Sequence, residues 1–305
     1  FLLSFGGAFS WLIGGKEDTL SENEQKEANT IPKNPFEEIS VEAKAAIVFD
    51  IAKNKIIYAK NAEAQLPLAS LAKLMTALIA EETLLTDEVI VLSKEAISEE
   101  GDSGLLVGEK WRKEDLVGLT LLASSNDGAH ALGSAVEAFR ARKDEENATT
   151  TPQFISFSEI MNARAQEIGL SQTYFLNAEG LDMYGREGGA NGSARDMAIL
   201  LSYILKNATH IFDATQYRER TFTSLGGIAH PFRNTNEAAA QIPGIVGSKT
   251  GFTDLAGGNL AIIFEAGPMY PIAVVVLGSS VEGRFTDVEK LIQAALQYLN
   301  LESGI

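Results

Sequence analysis

Runs that favour β-structure stand at both ends of this chain and enclose a middle that reads as helix. Ala43 to Asp50 (AKAAIVFD) and Lys55 to Tyr58 (KIIY), joined through Ala52, Lys53 and Asn54, predict an opening hairpin. Ile245 to Phe252, Asn259 to Glu265 and Ile272 to Gly278 are spaced for antiparallel pairing, with Gly257-Gly258 and Gly267-Pro268 expected as turns. Between the two groups, helices are expected at Ser70 to Glu82, Leu116 to Ala123, Ala129 to Phe139, Phe157 to Ile168 and Ala194 to Leu205, and an amphipathic helix at Val288 to Leu299 closes the chain. Strands from opposite ends share a sheet only if the ends come together. The expected fold is therefore α/β of the α+β kind, one antiparallel sheet completed by both termini with helices on its faces. Arg140 to Pro152 (RARKDEENATTTP) reads as a surface insertion, and no internal repeat is visible.

The chain has 305 residues, which fits one large α/β domain as well as two average ones. With 45% hydrophobic and 22% charged residues it has a globular composition, neither disordered nor fibrous. It has no cysteine, which removes disulfides, thiolate metal sites, a cysteine nucleophile and a lipidated cysteine anchor. Hydroxyl, carboxyl, lysine and histidine chemistry remains. The histidines, His130, His210 and His230, are scattered and form no HExxH pattern, so neither a metal nor a cofactor is expected. A net charge of -16 opposes nucleic-acid binding, which needs a basic surface.

Phe1 to Ile13 (FLLSFGGAFSWLI) carries no charge but is shorter than the roughly 20 apolar residues of a bilayer span. It reads as the remaining part of a signal peptide or anchor helix, with a buried helix of the fold as the alternative. Lys16 to Glu42 follows with eight acids against three lysines and no sustained apolar period, as in a solvated tether. The expected organisation is an anchor remnant at 1–15, an acidic linker at 16–42 and a catalytic domain at 43–305, held outside the cytoplasmic membrane by the N-terminal segment.

Three short motifs carry chemistry. In Ser70-Leu71-Ala72-Lys73, helical spacing sets Lys73 beside the Ser70 hydroxyl. A buried lysine near other cations loses its proton readily and could take that of the serine. The same tetrapeptide is otherwise an N-cap serine and an unrelated lysine. However, a lysine inside a helix apolar on every side is costly without a task or partner. Ser124-Ser125-Asn126, expected in a turn between helices, offers a proton relay and an amide-pairing group, or simply a cap. Lys249-Thr250-Gly251 lies on a β-prone run. There a cation, a hydroxyl and a residue without a side chain suit an anionic, extended ligand; alone they equally fit an edge strand with a gatekeeper lysine.

In this order and on these elements, the three match the set found in penicillin-binding proteins and class A β-lactamases. The chain resembles the low-molecular-weight penicillin-binding proteins, specifically the serine D-alanyl-D-alanine carboxypeptidases, from about Ala43 to Tyr298. The likeness extends to the run Leu66 to Ala77, Asn126-Asp127, Gly180-Leu181-Asp182, the run Ser193 to Met197, the run Pro243 to Gly251, and Arg284-Phe285. It implies a β-lactamase/D,D-peptidase-like fold, with a five-stranded antiparallel sheet, helices on both faces and an all-helical subdomain. It further implies Ser70 as nucleophile, Lys73 as its base and Ser124 as proton relay to the departing D-alanine. Asn126 would hold the substrate amide, Lys249 and Thr250 its carboxylate, and Gly251 would let substrate backbone approach. The Ser70 and Phe252 N–H groups would form the oxyanion hole. Peptidoglycan stem peptides would be the substrates and β-lactams covalent inhibitors.

Some positions depart from the family pattern. Ser125 stands where many members have glycine. Asn234-Thr235-Asn236 lacks an arginine that some relatives place there, leaving Arg233 as a candidate helper. Attachment through the N-terminus is expected in place of the family's frequent C-terminal anchor helix. Ser193-Ala194-Arg195-Asp196 reads as a capping box with Asp for Glu, and Gly180-Leu181-Asp182 as a turn. The competing functions are a β-lactamase, whose deacylating glutamate is imitated only by Glu167; an endopeptidase or transpeptidase; and a non-catalytic peptidoglycan-binding module.

Overall fold

The computed structural model describes residues 34–101, 103–146, 155–184 and 186–303. Its centre is a five-stranded antiparallel sheet built from β1 (Ala45–Asp50), β2 (Lys55–Lys60), β3 (Ile245–Thr253), β4 (Gly257–Glu265) and β5 (Pro271–Ser279). The order across the sheet is β3-β4-β5-β1-β2, and Val48 sits opposite Val274 where the two chain ends join. Every residue of β1 is buried, as is nearly all of β4 and β5, because helices cover both faces. The two-residue side-chain period then feeds two cores. Ala46 and Val48 pack with Val274, Val288 and Leu291 on one face, while Ala45 and Ile47 pack with Val275, Leu74 and Leu78 on the other.

A 3-10 turn, Ala69–Ala72, leads into α1 (Lys73–Thr83), buried from Lys73 through Ala80 as an all-round apolar helix should be. α2 (Lys113–Ala123), α3 (Asn126–Glu146), α4 (Phe157–Ile168) and α5 (Ala194–Asn207) follow, and α6 (Gly283–Ser303) packs on the opposite face. The helical part is not purely helical. It carries two-stranded ribbons, Val89–Val91 with Lys110–Arg112 and Glu219–Thr223 with Ala229–Arg233.

Several boundaries move from their expected places. α3 starts at Asn126, so the turn expected over 124–128 shrinks to Ser124 and Ser125. It runs on to Glu146 through part of the expected insertion, since Ala, Arg, Lys and Glu are good helix formers without an apolar face. Residues 147–152 of that insertion lie outside the described residues. Gly257 and Gly258 belong to β4 rather than a turn. A Cβ on Gly258 would lie 2.0 Å from the Ser280 carbonyl oxygen, so the glycine there serves close backbone approach. α6 begins ahead of its apolar period, with the Ser280 hydroxyl accepting the Gly283 N–H at 2.9 Å.

The packed part also reaches further back than Ala43. Phe36 stacks on Tyr58 with centroids 5.1 Å apart, Val41 is buried, and the Glu42 and Ala43 N–H groups donate to the Asp287 carboxylate at 2.9 and 2.8 Å. Asp287 accepts the Ser279 hydroxyl as well, joining the N-terminal segment, β5 and α6. Asp287→Ala is expected to cost about 1.5–3 kcal/mol, the scale of hydrogen bonds to a charged acceptor, measured as a shift in the urea midpoint. The expected anchor remnant and the linker up to Lys33 lie outside the described residues, and among those described no helix is long and apolar enough to cross a membrane.

Candidate active site

The site is built around a strained turn. Ala69 has φ +49, a left-handed conformation that a residue with a side chain keeps only when its surroundings impose it, at a cost of about 1–3 kcal/mol. Three contacts impose it. Asn259 of β4 donates from Nδ2 to the Pro67 and Leu68 carbonyls at 3.0 and 3.1 Å. A Cβ on Gly251 would fall 2.7 Å from the Leu68 oxygen, and one on Gly180 would fall 2.0 Å from the Ala69 oxygen. Gly251 thus lets β3 lie against the turn. Its missing side chain makes room for the chain's own backbone at Leu68. Asn259→Ala should leave the turn less constrained and lower stability by roughly 1–3 kcal/mol, read as a fall in melting temperature.

The turn delivers Ser70, half-buried, and Lys73, fully buried. Lys73 Nζ lies 2.9 Å from Ser70 Oγ, 2.7 Å from Asn126 Oδ1 and 2.7 Å from the Glu179 carbonyl oxygen. A neutral amine has two N–H donors and one lone pair. Asn126 Oδ1 and the Glu179 carbonyl can only accept, so they take the donors and leave the lone pair to the Ser70 hydroxyl. Burial pulls Lys73 down to about 7, against the carboxylates of Glu179 and Glu99, which hold it up. The neutral form is therefore populated near neutrality.

Ser124 ends α2 with φ +61 and accepts a hydrogen bond from Lys249 Nζ at 2.8 Å. Lys249 also donates to the Thr250 carbonyl. Burial holds its pKa well below the usual lysine range, helped by the charges of Lys73 and Arg284. Ser125 turns away from this pair. Its oxygen accepts the Gly128 N–H at 3.0 Å as a helix cap and meets Ser103 Oγ at 2.7 Å, a task glycine could not fill. Asn126 completes the cage by donating from Nδ2 to the Glu100 carbonyl.

Thr250 donates to Thr235 Oγ1 at 2.6 Å. Asn234 and Asn236 point elsewhere, to the Thr215 carbonyl and Ser248 Oγ. Arg233 is exposed on its ribbon opposite Glu219, whereas the buried Arg284 of α6 donates to the Gly251 carbonyl at 3.1 Å. Arg284 is thus the guanidinium nearest the strand in hydrogen-bond terms. Phe252 is 51% exposed, and β3 is the edge strand of the sheet, where Thr215 Oγ1 accepts the Ser248 N–H at 3.1 Å and Gln216 donates to the Val246 carbonyl at 3.0 Å.

These contacts gather Ser70, Lys73 and Asn126 in one group and Ser124, Lys249 and Thr250 in a second, and the groups adjoin where Ser124 and Asn126 flank Ser125 and where the charge of Lys73 bears on Lys249. The structure adds the Glu179 carbonyl, Thr235, Asn259 and Arg284, to which the sequence attached no role. Asp182, read as part of a turn, accepts the Thr253 hydroxyl at 2.9 Å and the Leu255 N–H at 3.3 Å, pinning its loop to the end of β3. Ser193 does cap α5, but Asp196 does not complete a capping box. Its carboxylate accepts instead from the Gln172 N–H and the Thr173 hydroxyl. Glu167 is 64% exposed and paired with Arg164 at 2.7 Å on the outside of α4.

A family model described as D-alanyl-D-alanine carboxypeptidase matches residues 28–280. The chain is 31% identical over 268 residues to D-alanyl-D-alanine carboxypeptidase DacF of Bacillus subtilis, covering 85% of this chain and 63% of that protein. It is 29% identical over 278 residues to DacC of Escherichia coli, covering 87% and 64%. It therefore spans less than two thirds of the length of these relatives. Among solved structures, penicillin-binding protein D2 from Listeria monocytogenes in its ampicillin-bound form matches with a TM-score of 0.69 and 29% identity, over 84% of this chain and 98% of that one. The family match runs from ahead of β1 to the end of β5 and takes in every motif residue of the cleft, so the chain belongs to the D-alanyl-D-alanine carboxypeptidase family.

Proposed function

We propose that the chain is a serine D-alanyl-D-alanine carboxypeptidase that removes the terminal D-alanine from peptidoglycan stem pentapeptides through an acyl-enzyme. The observation that carries this reading is the hydrogen-bond set of Lys73, in which only Ser70 can give a proton to the neutral amine. Ser70 Oγ attacks the penultimate D-alanine carbonyl and its proton passes to Lys73. The oxyanion is held by the backbone N–H groups of Ser70 and Phe252. When the peptide bond breaks, Ser124 hands a proton to the leaving amine, and water then hydrolyses the ester. The substrate lies along the edge of β3 from Lys249 onward, with Asn126 pairing its amide. Its carboxylate meets Lys249 and Thr250, with Arg284 adding positive charge. An arriving carboxylate favours the ammonium form of Lys249, so binding restores a charge that burial suppresses. A penicillin acylates Ser70 by the same steps. Glu167, the candidate for a deacylating glutamate of the β-lactamase kind, is exposed and engaged by Arg164, so the penicillin adduct is expected to persist rather than turn over in seconds.

Incubation with a stem pentapeptide, with products identified by mass, tests the reading. Loss of one alanine is expected. Joining to an added amine would make the chain a transpeptidase, and an unchanged peptide with no penicillin adduct would leave a binding module. The acylation rate should rise with pH and level off above about 7, because the base acts in its neutral form and Lys73 is pulled down to that value. Below the midpoint the rate should fall about tenfold per pH unit. Stopped-flow labelling from pH 5 to 9 checks this, and a flat profile would remove Lys73 as the base. The substrate places the domain outside the cytoplasmic membrane, with Phe1 to Ile13 as its attachment; recovery in the soluble cytoplasmic fraction would contradict that.

A further inference from the structure

We infer that Glu99, His130 and Glu179 form a site for a divalent transition-metal ion of the zinc class, beside the residues that hold Lys73 and Asn126. His130 Nδ1 lies 2.8 Å from Glu99 Oε1 and 3.4 Å from Glu179 Oε1, and one ligand atom from each residue falls within 4.8 Å of the other two. Zinc holds nitrogen and carboxylate oxygen at about 2.0–2.2 Å, so neighbouring ligand atoms stand about 3.3–3.6 Å apart around it. The three groups need only small side-chain rotations to meet that spacing. One imidazole and two carboxylates are a borderline donor set, suited to zinc before magnesium or calcium, which prefer oxygen alone. Three protein ligands leave a position for water.

Charge and access favour the same occupant. Two carboxylates face one imidazole, with the buried Asp127 adding a further negative field at Glu99. A single Nδ1 proton can serve only one of the two carboxylates, whereas a dication binds both. His130 and Glu99 are 32% and 26% exposed, and a surface cavity of about 260 Å³ opens beside His130 and Glu179, so an ion can enter without unfolding the site.

The ligands come from three separate segments, each one step from the cleft. Glu179 supplies through its carbonyl one of the two acceptors of Lys73. Glu99 precedes Glu100, whose carbonyl accepts from Asn126. His130 lies one turn after Asn126 on α3. An ion here would tie together the loop before Gly180, the segment ending at Gly101 and the start of α3, which between them hold Lys73 and Asn126 in place. Glu179 acts through its backbone on Lys73 and through its carboxylate on the ion, so it is a positioning residue in this scheme.

The chelator-treated chain titrated with zinc chloride provides the test, and because the probe is the metal alone it stands apart from the peptidase reading. One saturable zinc per chain is expected by calorimetry. At an ion concentration about 100 times Kd the melting temperature should rise by roughly 5–10 °C. Glu99→Gln and His130→Ala should each weaken binding at least about tenfold. Glu99 is partly exposed, so its variant serves even if His130→Ala folds poorly. Ser70→Ala should bind zinc as the parent does. Absence of saturable binding, equal affinity in Glu99→Gln, or loss of zinc in Ser70→Ala would each overturn the proposal, the last by placing the ion in the cleft.

Discussion

Ser70→Ala should abolish covalent labelling by a fluorescent penicillin and lower D-alanine release by a factor on the order of 10⁵–10⁶, while the protein stays folded. The fold should survive because Ser70 contributes one hydrogen bond to the buried cage, worth about 1 kcal/mol, and Lys73 keeps Asn126 Oδ1 and the Glu179 carbonyl as partners. The activity should not survive, because Ser124 and Ser125, the other hydroxyls at hand, are otherwise engaged. Ser124 accepts from Lys249, and Ser125 caps α3. Lys73→Met separates base from nucleophile. It keeps the buried volume and the hydroxyl but removes the proton acceptor, so acylation should fall by about 10²–10⁴ without vanishing. Intact-protein mass after a long incubation distinguishes the two: no adduct for Ser70→Ala, a slow one for Lys73→Met. A full adduct on Ser70→Ala would mean another nucleophile.

How much of this could be read from the sequence depended on the range over which the information is stored. α4 falls at Phe157–Ile168 as its apolar period predicts, and the opening hairpin and three late strands lie within a few residues of their expected places. The signals there are local: spacing of apolar side chains, β-branched runs and turn residues. The cleft residues were legible for a different reason, that their types recur in a fixed order along the chain. Asn259 was not, because its role is to hold Pro67 and Leu68, 191 or 192 residues away, and any buried asparagine looks the same from sequence. The Glu179 carbonyl was not, because a backbone acceptor leaves no mark on residue type. Nor was the grouping of Glu99, His130 and Glu179, whose spacing matches no local metal motif and which meet only through the tertiary fold. Gly257-Gly258 misled because glycine marks turns and close backbone approach alike, and only the neighbouring strand decides which. Phe36 hid within an acidic stretch whose composition outweighed one aromatic, although its stacking on Tyr58 extends the core.

Gly180→Ala should slow penicillin acylation and destabilise the fold together. Gly180 has φ +81, where an alanine is strained by about 1–2 kcal/mol, and its Cβ would sit 2.0 Å from the Ala69 oxygen and 2.5 Å from the Ala69 carbonyl carbon. Contacts that short cannot persist, so one backbone segment must retreat by about an ångström, a shift the packed surroundings oppose with a further cost of about 1–3 kcal/mol. Either movement reaches the chemistry. If Ala69 yields, Ser70 leaves its place beside Lys73; if Gly180 yields, it carries with it the Glu179 carbonyl that orients the amine. A misplacement of that size is worth about 10² in rate, so penicillin acylation should drop by that factor and the melting temperature should fall together with it. Gly169→Ala is the matched control. Its φ of +89 imposes similar strain, but nothing lies within 4 Å of the added methyl, so stability should fall by about 1 kcal/mol and acylation should not change. Equal losses of acylation in the two variants would mean that backbone strain, not the contact with Ala69, accounts for the effect. Parental acylation in folded Gly180→Ala would mean that Ser70 does not depend on the clamped turn for its position.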